Sequence, residues 1–117
     1  MFGLKDSDIE AMNHVLRAFP GIEEAVIFGS RAMGNYRRGS DVDIALFGEG
    51  VDVDTAQKVA WQLNEETLMP YRFDVLSYAN ISNPDLRDHI RRVGLTLYST
   101  NPHRIAGEPV EEYLKSK

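Results

Sequence analysis

The segment Glu24-Ala25-Val26-Ile27-Phe28 constrains the fold more than any other stretch of this sequence. It is short and apolar, and it lies between Gly21 and Gly29. A strand with one face in solvent would alternate apolar and polar side chains, whereas an unbroken apolar run is typical of a strand buried on both faces. The chain therefore needs a strand here that is covered on each side and that leads directly into Gly29-Ser30.

The patterns on either side of this strand predict an α/β (α+β) fold, in which a small mixed β-sheet is packed by helices. Ser7 and Glu10 match a capping box for a first helix that stops at Pro20-Gly21. Alternation over residues 41–47 predicts a second strand. The other predicted elements are a helix capped by Asp54 and closed by Pro70, a strand over 71–77, a helix from Asn83-Pro84 to about Val93, and a short edge strand over 95–98.

The length of 117 residues fits one domain, since the most common domain size is about 100–150 residues. We place a single domain at residues 1–100 and a C-terminal tail at 101–117. The tail contains Pro102, Gly107 and Pro109, and we expect a loosely docked coil that ends in a polar turn over 111–117.

Charge and composition exclude several classes of protein. With 18 acidic and 13 basic side chains, the net charge is −5, so nucleic acid is not expected as a direct partner. The absence of cysteine excludes a disulfide framework, a zinc-thiolate site and a thiol nucleophile. The apolar runs are far shorter than the roughly 20 residues that cross a bilayer. We expect a cytoplasmic protein without a membrane partner.

Gly29-Ser30 is the first candidate for a binding function. A Gly-Ser pair at the end of a buried strand lets the backbone approach an anion closely and directs N–H groups and a hydroxyl toward it. This suits a nucleotide phosphate, although the same pair also occurs in a simple strand-to-loop turn.

Asp41 and Asp43 are two residues apart on the second predicted strand, so their carboxylates project from the same face. Such a pair is costly unless a cation lies between the two charges, and magnesium prefers carboxylate oxygens. Burying Phe73 and Val75 would turn Asp74 to the opposite face of the third strand. If that strand pairs beside the second one, three acids can converge and support a two-metal phosphoryl or nucleotidyl transfer.

The sequence also contains a second Asp-x-Asp, Asp52-Val53-Asp54, which follows Gly50 at the start of a helix. Carboxylates at that position pair with the free N–H groups of the first helical turn. We assign Asp52 and Asp54 to capping.

Gly29-Ser30, ten intervening residues, Asp41-x-Asp43 and then Asp74 between apolar neighbours together resemble the nucleotidyltransferase superfamily that includes DNA polymerase β. The chain looks most like the minimal nucleotidyltransferases, the MntA-like antitoxins encoded beside HEPN-domain toxins. The resemblance covers roughly residues 22–98. It implies a nucleotidyltransferase fold, an NTP donor with ATP expected, and two Mg²⁺ ions.

The resemblance also implies roles for individual residues. Asp41, Asp43 and Asp74 would be the catalytic and metal-ligating acids, with Asp74 helping to activate an acceptor hydroxyl. Gly29 and Ser30 would hold the triphosphate. Three arginines flank this loop and could contact the triphosphate: Arg31, Arg37 and Arg38. Arg37 and Arg38 could equally be solvated loop charges.

The function predicted from this resemblance is transfer of AMP from ATP to a hydroxyl, expected to be a tyrosine of a partner HEPN-type toxin, in an oligomer or hetero-oligomer. One alternative is a non-catalytic antitoxin that occludes its partner. Another is a small-molecule nucleotidyltransferase of the aminoglycoside type. Three histidines have no metal-ligand spacing and are predicted to pack in the core or to lie at the surface, namely His14, His89 and His103. Trp61 is predicted to pack on its helix rather than to stack on a base.

Overall fold

The computed structural model describes residues 1–116. Its helices and strands follow one another as α1 Asp6–Arg17, β1 Glu24–Phe28, α2 Ser30–Met33, β2 Val42–Phe47, α3 Val53–Glu65, β3 Phe73–Ser77, a 3₁₀ turn Tyr78–Asn80, α4 Pro84–Val93, β4 Leu95–Ser99 and α5 Val110–Lys115. The predicted succession of longer elements is therefore confirmed, while the 3₁₀ turn and α5 are additions.

The four strands form one sheet in the order β3-β2-β1-β4. β1 is antiparallel to both β2 and β4, whereas β2 and β3 are parallel and are joined through α3. The sheet is thus mixed, as predicted, and β4 lies at an edge. Every residue of β1 is buried, which confirms the interpretation of its unbroken apolar run.

Alternation along the strands divides the core into two clusters, one on each face of the sheet. The first cluster contains Val42, Ile44 and Leu46 of β2 together with apolar residues of α1 and α3. The second contains Ala45 and Phe47 together with apolar residues of α4 and α5. Because Asp43 lies between Val42 and Ile44, its side chain falls on the α4 and α5 side of the sheet.

Two predicted helix starts were wrong by a few residues. α1 begins after Lys5, whose backbone N–H group donates a hydrogen bond to the Asp8 carboxylate at 3.3 Å. Ser7 and Glu10 therefore do not form the capping box. α3 is capped by Asp52, which accepts from the Thr55 N–H group at 2.9 Å, rather than by Asp54. At α1, Asp8, the residue after the predicted cap, accepts from the N–H group of Lys5 instead. At α3, the capping role assigned to Asp52 is confirmed, and the helix starts two residues earlier than a cap at Asp54 would place it.

The C-terminal tail is not the loosely docked coil that the sequence predicted. Val110 is fully buried and Tyr113 nearly so, and both belong to the second core cluster. Arg104, with a side chain only 8% exposed, forms an ion pair with the fully buried Glu24 at 3.1 Å. The apolar contacts of Val110 and Tyr113 and a buried ion pair therefore fix this segment to the sheet. Lys117, the last residue of the predicted polar turn, lies outside the described residues.

Among residues 1–116, no helix combines the length and the apolar character needed to cross a membrane.

Candidate active site

The parallel pairing of β2 with β3 brings two of the predicted acids together. Asp43 and Asp74 are direct partners in the strand register. Phe73 and Val75 pack into the first core cluster, so Asp74 points to the same side of the sheet as Asp43. Asp41 lies one residue before β2 and is exposed. The β2–β3 register thus places Asp74 beside the strand that carries Asp43, as the sequence predicted.

The carboxyl group of Asp43 has a raised pKa. Partial burial and, to a smaller extent, the negative charges of Asp74 and then Asp41 together raise the pKa of its carboxyl from 3.8 to about 6. Each of these causes disfavours the ionised form. Asp43 therefore lies in a position where a bound cation would remove an electrostatic penalty.

Gly29 makes room for Asp43 at the neighbouring end of β1. Phe28 pairs with Asp43 in the β1–β2 register, and Gly29 follows with a positive φ of 71°. A methyl group added at Gly29 would overlap the Oδ2 atom of Asp43. Glycine is thus needed here both for the backbone conformation and for the close approach of the carboxylate.

Ser30 is the first residue of the short helix α2, directly after Gly29. Within residues 1–116 its hydroxyl has no hydrogen-bond partner, and it is partly accessible. Arg37 and Arg38 lie on the exposed loop between α2 and β2, and their guanidinium groups likewise have no partner in the described part of the chain. These three side chains are free to bind an anion.

Arg31 differs from the other two arginines, and the expectation that it contacts a triphosphate needs correction. Its side chain is buried, with 3% of the residue exposed. Its Nε and Nη2 atoms donate to the Ser40 carbonyl at 3.1 and 2.9 Å, and Nη1 donates to the carbonyls of Phe2 and Gly3 at 3.0 and 3.3 Å. Four of the five N–H groups of the guanidinium are therefore taken by backbone carbonyls.

Sequence reasoning also missed a residue that fixes the position of Asp74. The side-chain amide of Asn64 on α3 donates to the Phe73 carbonyl at 2.9 Å and accepts from the Phe73 N–H group at 2.8 Å. These two bonds tie the start of β3 to α3 immediately before Asp74. No local pattern marks Asn64, because its partners are nine residues away along the chain.

The other singled-out side chains have lesser roles. His89 packs edge-on against Phe28, with ring centroids 6.2 Å apart, which confirms the packing interpretation. His14 and His103 are exposed. The packing prediction for Trp61 was wrong: the residue is 62% exposed, because α3 buries the face of Ala56, Val59 and Leu63 instead.

The residues present suit a divalent cation whose coordination is completed by other ligands. Within residues 1–116, no three or more His, Asp or Glu side chains are grouped closely enough to hold an ion by themselves. The Asp43 and Asp74 pair, with the raised pKa of Asp43, nevertheless offers hard carboxylate oxygens that gain from a positive charge. Magnesium commonly uses one or two carboxylates together with waters and substrate phosphates. The donor set therefore fits magnesium that enters with a nucleotide.

A cavity of about 420 Å³ lies on the other side of β3, between α3 and the start of α4. No charged side chain lines it, and none of the three acids does. The chemistry expected of the acids thus belongs to the end of the sheet near Gly29 rather than to this cavity.

Comparison with known proteins decides the family. The family model described as "Polymerase beta, Nucleotidyltransferase" matches residues 10–103. The chain belongs to this nucleotidyltransferase family. The resemblance found over residues 22–98 is confirmed, and the matched region includes Gly29, Ser30 and all three acids.

A relative and two solved structures agree with this assignment. The protein named "Putative protein adenylyltransferase MJ0435" from Methanocaldococcus jannaschii is 37% identical over 71 residues, which are 60% of this chain and 73% of the relative. A solved toxin-antitoxin structure with AMP-PNP gives a TM-score of 0.65 at 21% identity, covering 84% of this chain and 76% of the other. A complex of a tri-AMPylated Shewanella oneidensis HEPN toxin with MNT antitoxin gives a TM-score of 0.63 at 18% identity, and the match covers 83% of this chain and 74% of the other. At these identities the two structures confirm the predicted fold.

Proposed function

We propose that this nucleotidyltransferase moves AMP from ATP to a tyrosine hydroxyl of a HEPN-type toxin, and that it acts as the cytoplasmic antitoxin of that toxin. The observation that carries the proposal is the register of β2 and β3, which sets Asp43 opposite Asp74 next to the Gly29-Ser30 turn. The names of the relative and of the neighbouring complexes support the choice of donor, transferred group and partner.

In the proposed reaction, the tyrosine oxygen attacks the α-phosphorus of ATP. A new O–P bond forms, the bond from the α-phosphorus to the bridging oxygen breaks, and pyrophosphate leaves with that oxygen. The phenolic proton passes to a base. Asp74 is the proposed acceptor of this proton, because it lies opposite Asp43 at the partly open end of β3.

Asp41 and Asp43 are the proposed ligands of two Mg²⁺ ions, with Asp74 completing the set. When bound, the ions supply electrostatic stabilisation of the attacking and leaving oxygens. Asp43 contributes through its position: its neighbouring acids and partial burial make the free carboxylate unfavourable, so it gains from cation binding.

Ser30, Arg37 and Arg38 are the proposed ligands of the triphosphate. The free hydroxyl of Ser30 lies at the start of α2, and the two guanidinium groups are exposed on the loop that leads to Asp41. Forked guanidinium donors match phosphate oxygens well. This proposal leaves Arg31 out, since its donors are taken by backbone carbonyls.

The proposal is tested by transfer of α-labelled ATP to the purified HEPN-type partner in the presence of Mg²⁺. The double variant Asp41→Asn, Asp43→Asn should lower the rate by more than about 100-fold, because losing even a residue that only supports a metal ligand costs about 10–100-fold.

The second Asp-x-Asp of the chain provides a matched control. Asp52→Asn, Asp54→Asn makes the same chemical change at the start of α3, where asparagine caps as well as aspartate. It should keep the wild-type rate. An unchanged rate in the Asp41, Asp43 double variant would reject the proposed function.

A further inference from the structure

We infer that Arg31 is a positioning residue, which holds the backbone carrying Asp41 in a fixed place relative to the turn carrying Ser30. The inference rests on the proposed function, in which Ser30 binds the triphosphate and Asp41 binds metal. It assigns to Arg31 a role through the backbone rather than through contact with the nucleotide.

Arg31 joins two segments that the chain keeps apart. It directly follows Ser30 on α2, and its Nε and Nη2 atoms form a fork on the carbonyl of Ser40, the residue before Asp41. The loop between them is exposed along most of its length, from Met33 to Gly39. Two hydrogen bonds from a buried side chain to the partly buried Ser40 carbonyl therefore form a fixed connection across an otherwise solvated loop.

The N-terminal segment holds the other side of the guanidinium. Nη1 of Arg31 donates to the carbonyls of Phe2 and Gly3, and Phe2 is itself buried in the first core cluster. Phe2 has a positive φ of 58°, which is uncommon for a residue with a side chain. The core thus anchors the N-terminal carbonyls, and these carbonyls fix the direction of the guanidinium.

Two tyrosines complete the surroundings of Arg31. Its guanidinium carbon lies 5.4 Å from the ring centroid of Tyr36 and 5.0 Å from that of Tyr71. The Tyr71 hydroxyl donates to Asp8 of α1 at 2.9 Å, which holds this ring in place. Tyr71 lies just before β3, so the segment leading to Asp74 also contacts Arg31.

A direct phosphate contact by Arg31 does not fit this arrangement. A guanidinium has five N–H groups, and the backbone carbonyls of Ser40, Phe2 and Gly3 accept four bonds from it. The remaining N–H group is buried with the rest of the side chain. Moving Arg31 to a ligand would leave the buried Phe2 carbonyl and the partly buried carbonyls of Gly3 and Ser40 without this donor, which is unfavourable.

Arg31→Lys tests the inference, because lysine keeps the charge but cannot form the fork on Ser40 while also reaching the N-terminal carbonyls. We would measure kcat, the KM for ATP and the Mg²⁺ concentration that gives half the maximal rate. Isothermal titration of Mg²⁺ with a non-hydrolysable ATP analogue gives a readout that does not need transfer. Arg17→Lys, at an exposed arginine of α1, is the matched control.

A positioning role predicts that kcat falls by about 10- to 100-fold, since a small misplacement of a reacting group has an effect of this size. The Mg²⁺ requirement should rise in both assays, while the KM for ATP stays close to the wild-type value and Arg17→Lys matches the wild type. If Arg31→Lys does not fold, Tyr36→Leu removes one exposed wall of the guanidinium site. It should raise the Mg²⁺ requirement by about threefold, as expected for the loss of one cation–π contact.

Two results would overturn the inference. In the first, Arg31→Lys raises the KM for ATP by at least the factor by which it lowers kcat, and the Mg²⁺ requirement does not change. Arg31 would then be a phosphate ligand. A lowered melting temperature, with kcat per folded molecule and Mg²⁺ binding unchanged, would make its role purely structural. Failure of the proposed function looks different: the wild type would bind Mg²⁺ and the analogue without labelling its partner, and the titration of Arg31→Lys would still decide the question.

Discussion

Asp43 is a carboxylate in a place where its own charge is unfavourable. It lies opposite Asp74 and near Asp41, it is partly buried, and its pKa is raised to about 6. In a protein selected only for stability, an uncharged residue would suit this position better. The arrangement is reasonable for a group that binds a cation, because the same interactions that destabilise the free carboxylate favour the metal-bound form.

The raised pKa of Asp43 predicts a pH-dependent effect of Asp43→Asn on the metal-free protein. The folded-state pKa of about 6 exceeds the unfolded value of 3.8, so protonation favours the folded state. The charged wild-type side chain is therefore destabilising above pH 6, and the penalty disappears as the pH falls toward 4. We expect the variant to be more stable by about 1 kcal/mol at pH 8, after allowance for solvent screening, and equal to the wild type at pH 4.

Urea unfolding in the presence of EDTA at these two pH values measures the difference. Asp52→Asn is a suitable control, because backbone and side-chain hydrogen bonds from Thr55 lower the pKa of Asp52, and its replacement should bring no gain at pH 8. If Asp43→Asn raised the free energy of unfolding by the same amount at both pH values, the account would be contradicted.

The difference between Asp43 and Arg31 shows how far single residues could be predicted. Period-2 alternation is enough to place Asp43 on one face and to suggest Asp74 as its neighbour, because side-chain direction in a strand is set locally. The role of Arg31 depends on carbonyls of Phe2 and Ser40, which only the folded chain brings together. In the sequence, an arginine beside a turn that is expected to bind phosphate therefore looks like a ligand.

At the scale of elements, the ends of a helix or strand could be predicted where one local sequence signal was stronger than the others. β1 and α4 were predicted almost to the residue, since glycines bound the former and Asn83-Pro84 opens the latter. The tail was misjudged because Pro102, Gly107 and Pro109 indicate coil. Its docking depends on the burial of Val110 and Tyr113 and on one buried ion pair. Arg104 binds Glu24, and Thr96 donates to the same carboxylate at 2.5 Å.

This ion pair predicts that Arg104→Met is strongly destabilising. Glu24 is fully buried at the start of β1 and would lose its cation. Removing one partner of a buried pair typically costs about 3–5 kcal/mol. Chemical denaturation should show a loss of this size, together with earlier proteolysis of the segment after residue 100.

Arg92→Met is the matched control, because Arg92 forms an exposed pair with Asp88 on α4 at 2.8 Å. An exposed pair of this kind contributes about 0.5 kcal/mol or less. If Arg104→Met cost no more than Arg92→Met, the tail would not depend on the ion pair in the way described.

At the scale of the whole molecule, the described residues form one mixed sheet between two helical layers. The proposed metal and triphosphate ligands come from β2, β3, the start of α2 and the loop between α2 and β2. The family was recognisable from the sequence because its motif lies at the ends of strands. In an extended strand, the number of residues between two side chains fixes the distance between them and the face on which each lies. The identity of the acceptor was not recognisable, since no element of residues 1–116 forms a second module to bind it. A partner protein that supplies this surface fits the exposed position of the proposed site residues Arg37, Arg38 and Asp41.

The most direct test of the central claim is the intact mass of the HEPN-type partner after co-expression. With the wild-type protein, the account predicts that the partner gains one or more AMP units, and that the tyrosine carries them. With Asp41→Asn, Asp43→Asn, its mass should be that of the unmodified chain. A partner that is inhibited by the wild-type protein but remains unmodified would contradict the account and would show neutralisation by binding alone.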